Sequence, residues 1–120
     1  MIIGIGIDIV ELERIEEVMN RQPRFVERVL TVNERKTFET YSKKRKIEFL
    51  AGRFAAKEAF VKATGTGISK NYSWHDIEII KEDSGKPNLV VPGLLGHTHL
   101  SISHSRNYAV AEVIIESLSS

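Results

Sequence analysis

Residues 43–67, KKRKIEFLAGRFAAKEAFVKATGTG, decide the fold. The spacing of Ile47, Leu50, Ala51, Phe54 and Val61 predicts one long helix over about residues 43–64. Ser42 is placed to cap its start, and Gly65 to end it in the usual C-terminal manner. Four charged residues interrupt its alanine-rich second half. Arg53 and Lys57 stand four apart, as do Glu58 and Lys62, so each pair projects from one helix face. A helix that only packs can take a small or aliphatic residue at such places. A carboxylate and three cations set among Phe54, Ala55, Ala56, Ala59, Phe60 and Val61 suit a site that holds a metal and an anionic ligand together.

On the N-terminal side, residues 2–10 have the composition of a strand, with Gly4 and Gly6 interleaved among isoleucines. Glycine weakens a strand interior unless another backbone or a ligand must come close. Asp8 is the only charge in this segment. Residues 11–21 take helical spacing through Leu12, Ile15, Val18 and Met19. Pro23 interrupts them and starts a short helix through Leu30. Thr31 or Asn33 can cap a further helix to about Tyr41, and Glu34 stands at capping-box spacing from Thr31.

The C-terminal half is β-like. Residues 76–81 alternate, 82–87 turn, and 88–91 form a partner strand, with a loop at 92–96. Residues 98–105 and 108–115 then predict two more alternating strands. The expected architecture is α+β: an antiparallel sheet packed on one long helix, with short N-terminal helices.

Composition narrows the function classes. One domain over residues 1–120 is expected, near the commonest domain size and able to bury a single core. Without cysteine there is no disulfide, thiolate or sulfur-ligated zinc chemistry. No apolar run approaches the ~20 residues of a membrane span. The first residues lack a basic region ahead of Asp8, so no secretion signal is expected, and the default location is the cytoplasm. The net charge is only +1, yet residues 21–62 carry 12 Lys/Arg against 5 Asp/Glu. That asymmetry favours an acidic partner or a polyphosphate ligand. KKRK at 43–46 taken alone suits a solvated helix face.

A magnesium site usually takes one or two carboxylates and leaves its other positions to water and phosphate oxygens. Asp8 and Glu58 are candidates for that pair. Each also has a plainer reading: Asp8 as a strand-end acid capping the next helix, Glu58 as a salt bridge to Lys62. GIGID at 4–8 and TGTG at 64–67 are weak phosphate-loop signals, better explained as a close-packed strand and a helix stop. Ser103 and His104 are chain neighbours on opposite faces of a strand, without a nucleophile elbow, so they do not form a hydrolase triad. His104, near a strand end, is a candidate phosphate contact. His75, His97 and His99 lack metal-binding spacing.

Taken together, GIGIDIVELERI at 4–15, AGRFAAKEAFVKATGTGI at 51–68, DIEI and GKP within 76–87, and LSISHSRNYAVAEVI at 100–114 carry a family likeness. The chain resembles the short bacterial holo-acyl-carrier-protein synthases of the 4′-phosphopantetheinyl transferase superfamily, from residue 2 to about 115. The resemblance implies transfer of 4′-phosphopantetheine from coenzyme A to a serine of apo acyl carrier protein, within fatty acid biosynthesis, with release of 3′,5′-ADP. It also implies a homotrimer with active sites at subunit interfaces. On this chain Asp8 and Glu58 match the family's Mg²⁺ ligands, and Lys62 matches the lysine near the pyrophosphate. Arg53 and His104 are expected at the remaining phosphate of coenzyme A.

A serine hydroxyl needs a general base, and Glu58 is the candidate, directly or through water. The carrier is acidic, as the resemblance implies. Arg14, Arg21, Arg24 and Arg28, with Met19 and Phe25 between them, are the expected docking row; unpaired surface arginines are the alternative. Two rival functions stand beside this one, the first on the same Asp8–Glu58 pair. One is a metal-dependent phosphohydrolase with water as nucleophile. The other is a nucleic-acid module on the basic middle, which lacks the interleaved aromatics of a stacking platform.

Overall fold

The computed structural model describes residues 1–65 and 71–118. Thr66 and Gly67 of the TGTG segment therefore lie outside the described residues. The chain runs β1 (Ile2–Glu11), α1 (Leu12–Arg21), α2 (Arg24–Val29), α3 (Val32–Phe38) and α4 (Lys43–Thr64). A short 3₁₀ turn, Trp74–Asp76, precedes β2 (Glu78–Lys81), β3 (Pro87–Val90), β4 (His97–His104) and β5 (Tyr108–Glu116). No helix among the described residues is long and apolar enough to cross a membrane.

Local signals set most of these boundaries. Ser42 accepts a hydrogen bond from the Arg45 N–H at the start of α4, and Gly65 ends it in the left-handed region at φ 80°. Thr31 and Glu34 form the expected reciprocal box at α3. Residues 76–81 differ from expectation at their start. Asp76 accepts from the Ser73 N–H and closes a turn there, so pairing begins only at Glu78.

The strands form two sheets among the described residues. One has the order β1-β5-β4, all antiparallel, and the other is the β2-β3 hairpin. Helix α4, about 33 Å long at 1.5 Å per residue, lies across the three-stranded sheet and is buried over most of its surface. Phe60, Val61, Ala55 and Ala59 pack with Leu100, Ala111, Val113 and Ile115. Its first half, through Phe49, Leu50 and Ala51, packs with Ile15, Val29, Leu30 and Phe38 of the short helices. A helix buried nearly all round is held by packing rather than by an amphipathic stripe.

Strand β1 sorts its side chains by parity. Gly4, Gly6 and Asp8 face α4, while Ile3, Ile5, Ile7 and Ile9 point away and are each about three-fifths exposed. On that outer face Ile5 stands opposite Ile114, and Ile9 opposite Val110.

Candidate active site

The glycines of β1 explain how Asp8 reaches α4. A Cβ on Gly6 would lie 1.9 Å from the Ala59 carbonyl oxygen, and one on Gly4 would lie 2.0 Å from that of Ala63. The helix backbone thus rests directly on the strand, with small residues at 59 and 63 on its contact face. Glu58 and Lys62 immediately precede those two contacts in the chain, which brings both beside Asp8. The close approach anticipated at the glycines is that of a helix backbone.

The Lys62 ammonium donates to Oδ1 of Asp8 at 2.8 Å and to the Ile7 carbonyl at 3.1 Å. Neither plainer reading of the carboxylates is found. Helix α1 has no side-chain cap at its start, so Asp8 does not cap it. Lys62 reaches across to the strand and pairs with Asp8. Glu58 is half-buried, and that burial, followed by the nearby charge of Asp8, pushes its carboxyl above the ordinary range, with Lys62 acting in opposition. Two adjacent carboxylates, one already reluctant to ionise, fit a divalent cation of the magnesium type. No group of three His, Cys, Asp or Glu residues suited to a metal occurs among the described residues, so water and a substrate would supply the other ligands.

Lys57 does not join this site, contrary to the expectation that the helix offers it to an anion. It is fully buried. Its three ammonium protons go to the Val29 carbonyl at 2.6 Å, Oε1 of Glu34 at 2.7 Å and the Trp74 carbonyl at 3.1 Å. Burial pulls the Lys57 ammonium below its ordinary value, and the Glu34 carboxylate counteracts this. Glu34 in turn accepts the N–H groups of Thr31 and Ile79. This buried partner has no signal in residues 53–67; it is the capping-box glutamate 23 positions upstream.

Arg53 and His104 are not gathered with Asp8 within one chain. Arg53 precedes Glu58 by five residues, about 140° around the helix. Its guanidinium lies over the Phe49 ring, 4.1 Å from the centroid, and its buried Nε has no partner. It borders a small pocket with Asn33, Thr37, Tyr41 and Lys81. Burial lowers the Arg53 pKa from its ordinary value, against the charge of Glu34. His104 ends β4 with Nδ1 3.8 Å from Glu48. Glu48 precedes Glu58 by ten residues, about 15 Å along the helix axis. His104 lines a groove of about 840 Å³ with Glu11, Lys44, Glu48, Arg106 and Tyr108. Lys44 and Arg106, both beside His104 there, were not singled out from the sequence.

Arg14, Arg21, Arg24 and Arg28 are exposed and have no ion-pair partner among the described residues. Arg14 and Arg21 share a shallow groove of α1 with Glu13 and Glu17. Met19 and Phe25 are partly buried against the core. In KKRK, Lys43, Arg45 and Lys46 each lie within 3.9 Å of a glutamate, which is a solvated, paired face.

Comparison with known proteins identifies the family of the chain. The family model of the 4′-phosphopantetheinyl transferase superfamily matches residues 4–113. The holo-acyl-carrier-protein synthase of Anoxybacillus flavithermus is 62% identical over 120 residues, covering all of both chains. That of Halalkalibacterium halodurans is 58% identical, again over the whole of both. Among solved structures, the Bacillus anthracis holo-acyl-carrier-protein synthase in complex with CoA (3′,5′-ADP) is 53% identical, with a TM-score of 0.92 over 98% of each chain. The Neisseria meningitidis synthase is 38% identical, with a TM-score of 0.89 over 98% of this chain and 100% of that one. The contact between β1 and α4 that joins Asp8, Glu58 and Lys62 is thus built by a chain that belongs to the 4′-phosphopantetheinyl transferase superfamily.

Proposed function

We propose that this protein transfers 4′-phosphopantetheine from coenzyme A to a serine of apo acyl carrier protein, releasing 3′,5′-ADP, as a holo-acyl-carrier-protein synthase of fatty acid biosynthesis. The observation that carries this reading is the meeting of Asp8 with Glu58 and Lys62, at least fifty positions later in the chain, on one strand–helix contact. Incubation with coenzyme A, Mg²⁺ and an apo carrier, followed by weighing the carrier, tests it. The carrier gains one phosphopantetheine group if the reading holds. Consumption of coenzyme A with no carrier present would favour the phosphohydrolase instead.

In this mechanism Asp8 and Glu58 would hold Mg²⁺, which when bound would offset negative charge on the diphosphate. Glu58, directly or through a water, takes the proton of the carrier serine. The serine oxygen bonds to the phosphorus that carries pantetheine, and the bond from that phosphorus to the bridging oxygen breaks. The electron pair leaves with 3′,5′-ADP. Lys62, half exposed and on a flexible stem, faces the charge that develops on the leaving group.

Arg53 and His104 are assigned to the remaining phosphate of coenzyme A. Their separation from Asp8 within one chain supports a site completed by a second copy, as in the homotrimer with interfacial active sites that the resemblance implies. The isoleucine face of β1 supports the same assembly, since an exposed apolar strip on a sheet calls for cover. Arg14, Arg21, Arg24 and Arg28 are assigned to the acidic carrier. Residues 1–120 act as a single domain, in the cytoplasm, without nucleic acid or membrane.

A further inference from the structure

We infer that Lys62 is a stand-in cation, holding Asp8 in the free protein and released toward the diphosphate when a divalent cation takes the Asp8–Glu58 pair. The inference rests on the reading of those two carboxylates as the metal pair and adds how the site passes from its free to its loaded state.

Three observations carry it. The first is partner choice. Glu58 is one helical turn from Lys62, yet the ammonium crosses to the neighbouring strand and takes Oδ1 of Asp8 at 2.8 Å, with the Ile7 carbonyl as its second acceptor at 3.1 Å. The second is the difference in exposure. The Lys62 side chain is 51% exposed, whereas that of Asp8 is 14% exposed. The fixed member of the pair is the carboxylate, and the movable one is the ammonium. With its ammonium half exposed to water, the pair opens from the lysine side. The third is charge. Two carboxylates and one ammonium leave the free site with a surplus negative charge. A divalent cation turns that into a surplus positive charge, which attracts the anionic diphosphate.

It follows that the metal and the diphosphate substrate bind with positive coupling, and that Lys62 transmits it. By linkage, the coupling is the same whichever ligand arrives first. The Ile7 carbonyl left behind lies at the free edge of the sheet, where water can replace the ammonium.

The test uses the full-length protein without carrier. Mn²⁺ is titrated by electron paramagnetic resonance into the wild type and Lys62→Met, with and without saturating coenzyme A. Lys62→Met is expected to bind Mn²⁺ about five- to tenfold more tightly than wild type when coenzyme A is absent. Coenzyme A should tighten Mn²⁺ binding in the wild type, and this gain should shrink in Lys62→Met. In parallel, the ¹⁵N–¹H signal of the Lys62 ammonium, assigned by its loss in Lys62→Met, is followed as Mg²⁺ is added to the wild type. A shift on loading is the expected result. Equal Mn²⁺ affinity in the two proteins overturns the inference and leaves the metal pair standing. A tighter variant with an unmoved Lys62 signal also overturns it, since simple repulsion would then explain the affinity. Absence of Mn²⁺ binding in both proteins overturns the metal reading and this inference with it.

Discussion

The Lys57 ammonium lies 2.7 Å from Oε1 of Glu34, and neither side chain reaches solvent. Around them the same two groups also hold the end of α2, the cap of α3, the 3₁₀ turn and the start of β2. Removing one partner leaves an uncompensated buried charge, which typically costs about 3–5 kcal/mol. Lys57→Met and Glu34→Gln should each lower stability by that amount in urea titration. The doubly substituted protein should lose less than the sum.

The strand–helix contact predicts an effect of a single methyl group. Gly6→Ala places a Cβ against the Ala59 carbonyl and 2.7 Å from the Ala63 nitrogen, both backbone atoms that no rotamer change can move. The helix must shift, at about 1–3 kcal/mol or more. Activity should fall further than stability does, because the shift separates Glu58 and Lys62 from Asp8. Turnover measured well below the melting temperature checks this.

For the chemical step, Glu58→Gln should reduce kcat by roughly 10²–10⁴ as loss of a general base. Lys62→Ala should reduce kcat by roughly 10²–10³ as loss of one electrostatic donor. Normal turnover of Glu58→Gln with Mg²⁺ would remove that residue from both of its roles.

Reversal of Arg14 and Arg21 to Glu should raise KM for the carrier about tenfold through lost steering, with coenzyme A binding unchanged. The difference should narrow as salt is added, because exposed charges are screened. An equal effect on both substrates would assign these arginines to something other than docking.

Placing a charge on the outer face of β1 should prevent assembly. Ile5→Arg, opposite Ile114 on that face, is expected to run as a monomer in light scattering and to lose activity while keeping its helical circular dichroism. Retained activity in the monomer would argue for a site complete within one chain.

The elements that were legible in the sequence are those set by local chemistry. Helix α4 matches its expected limits because Ser42 and Gly65 act within a few residues of themselves. Asp76 was expected in a strand, but its carboxylate closes a turn with Ser73 instead. The pairing of β1 with β5, and the separation of β2 and β3 into their own sheet, depend on contacts distant in the chain and leave no mark in either partner alone. The site divides in the same way. Gly4 and Gly6 signalled a close approach, and the family resemblance singled out Asp8, Glu58 and Lys62. Lys57 was misread because helical spacing reports which residues share a face, whereas its burial is decided by Glu34 on a different helix.

Strand β1 alternates two vocabularies, glycine and aspartate toward the helix and isoleucine away from it. A slip of its pairing by one position would exchange every side chain between the two faces. Isoleucine branches would then collide with the α4 main chain, and the carboxylate would turn outward. From Gly4 to Glu11 the strand therefore cannot drift in frame, and a mutation that loosens the hold of β5 on β1 should silence the protein before it unfolds it.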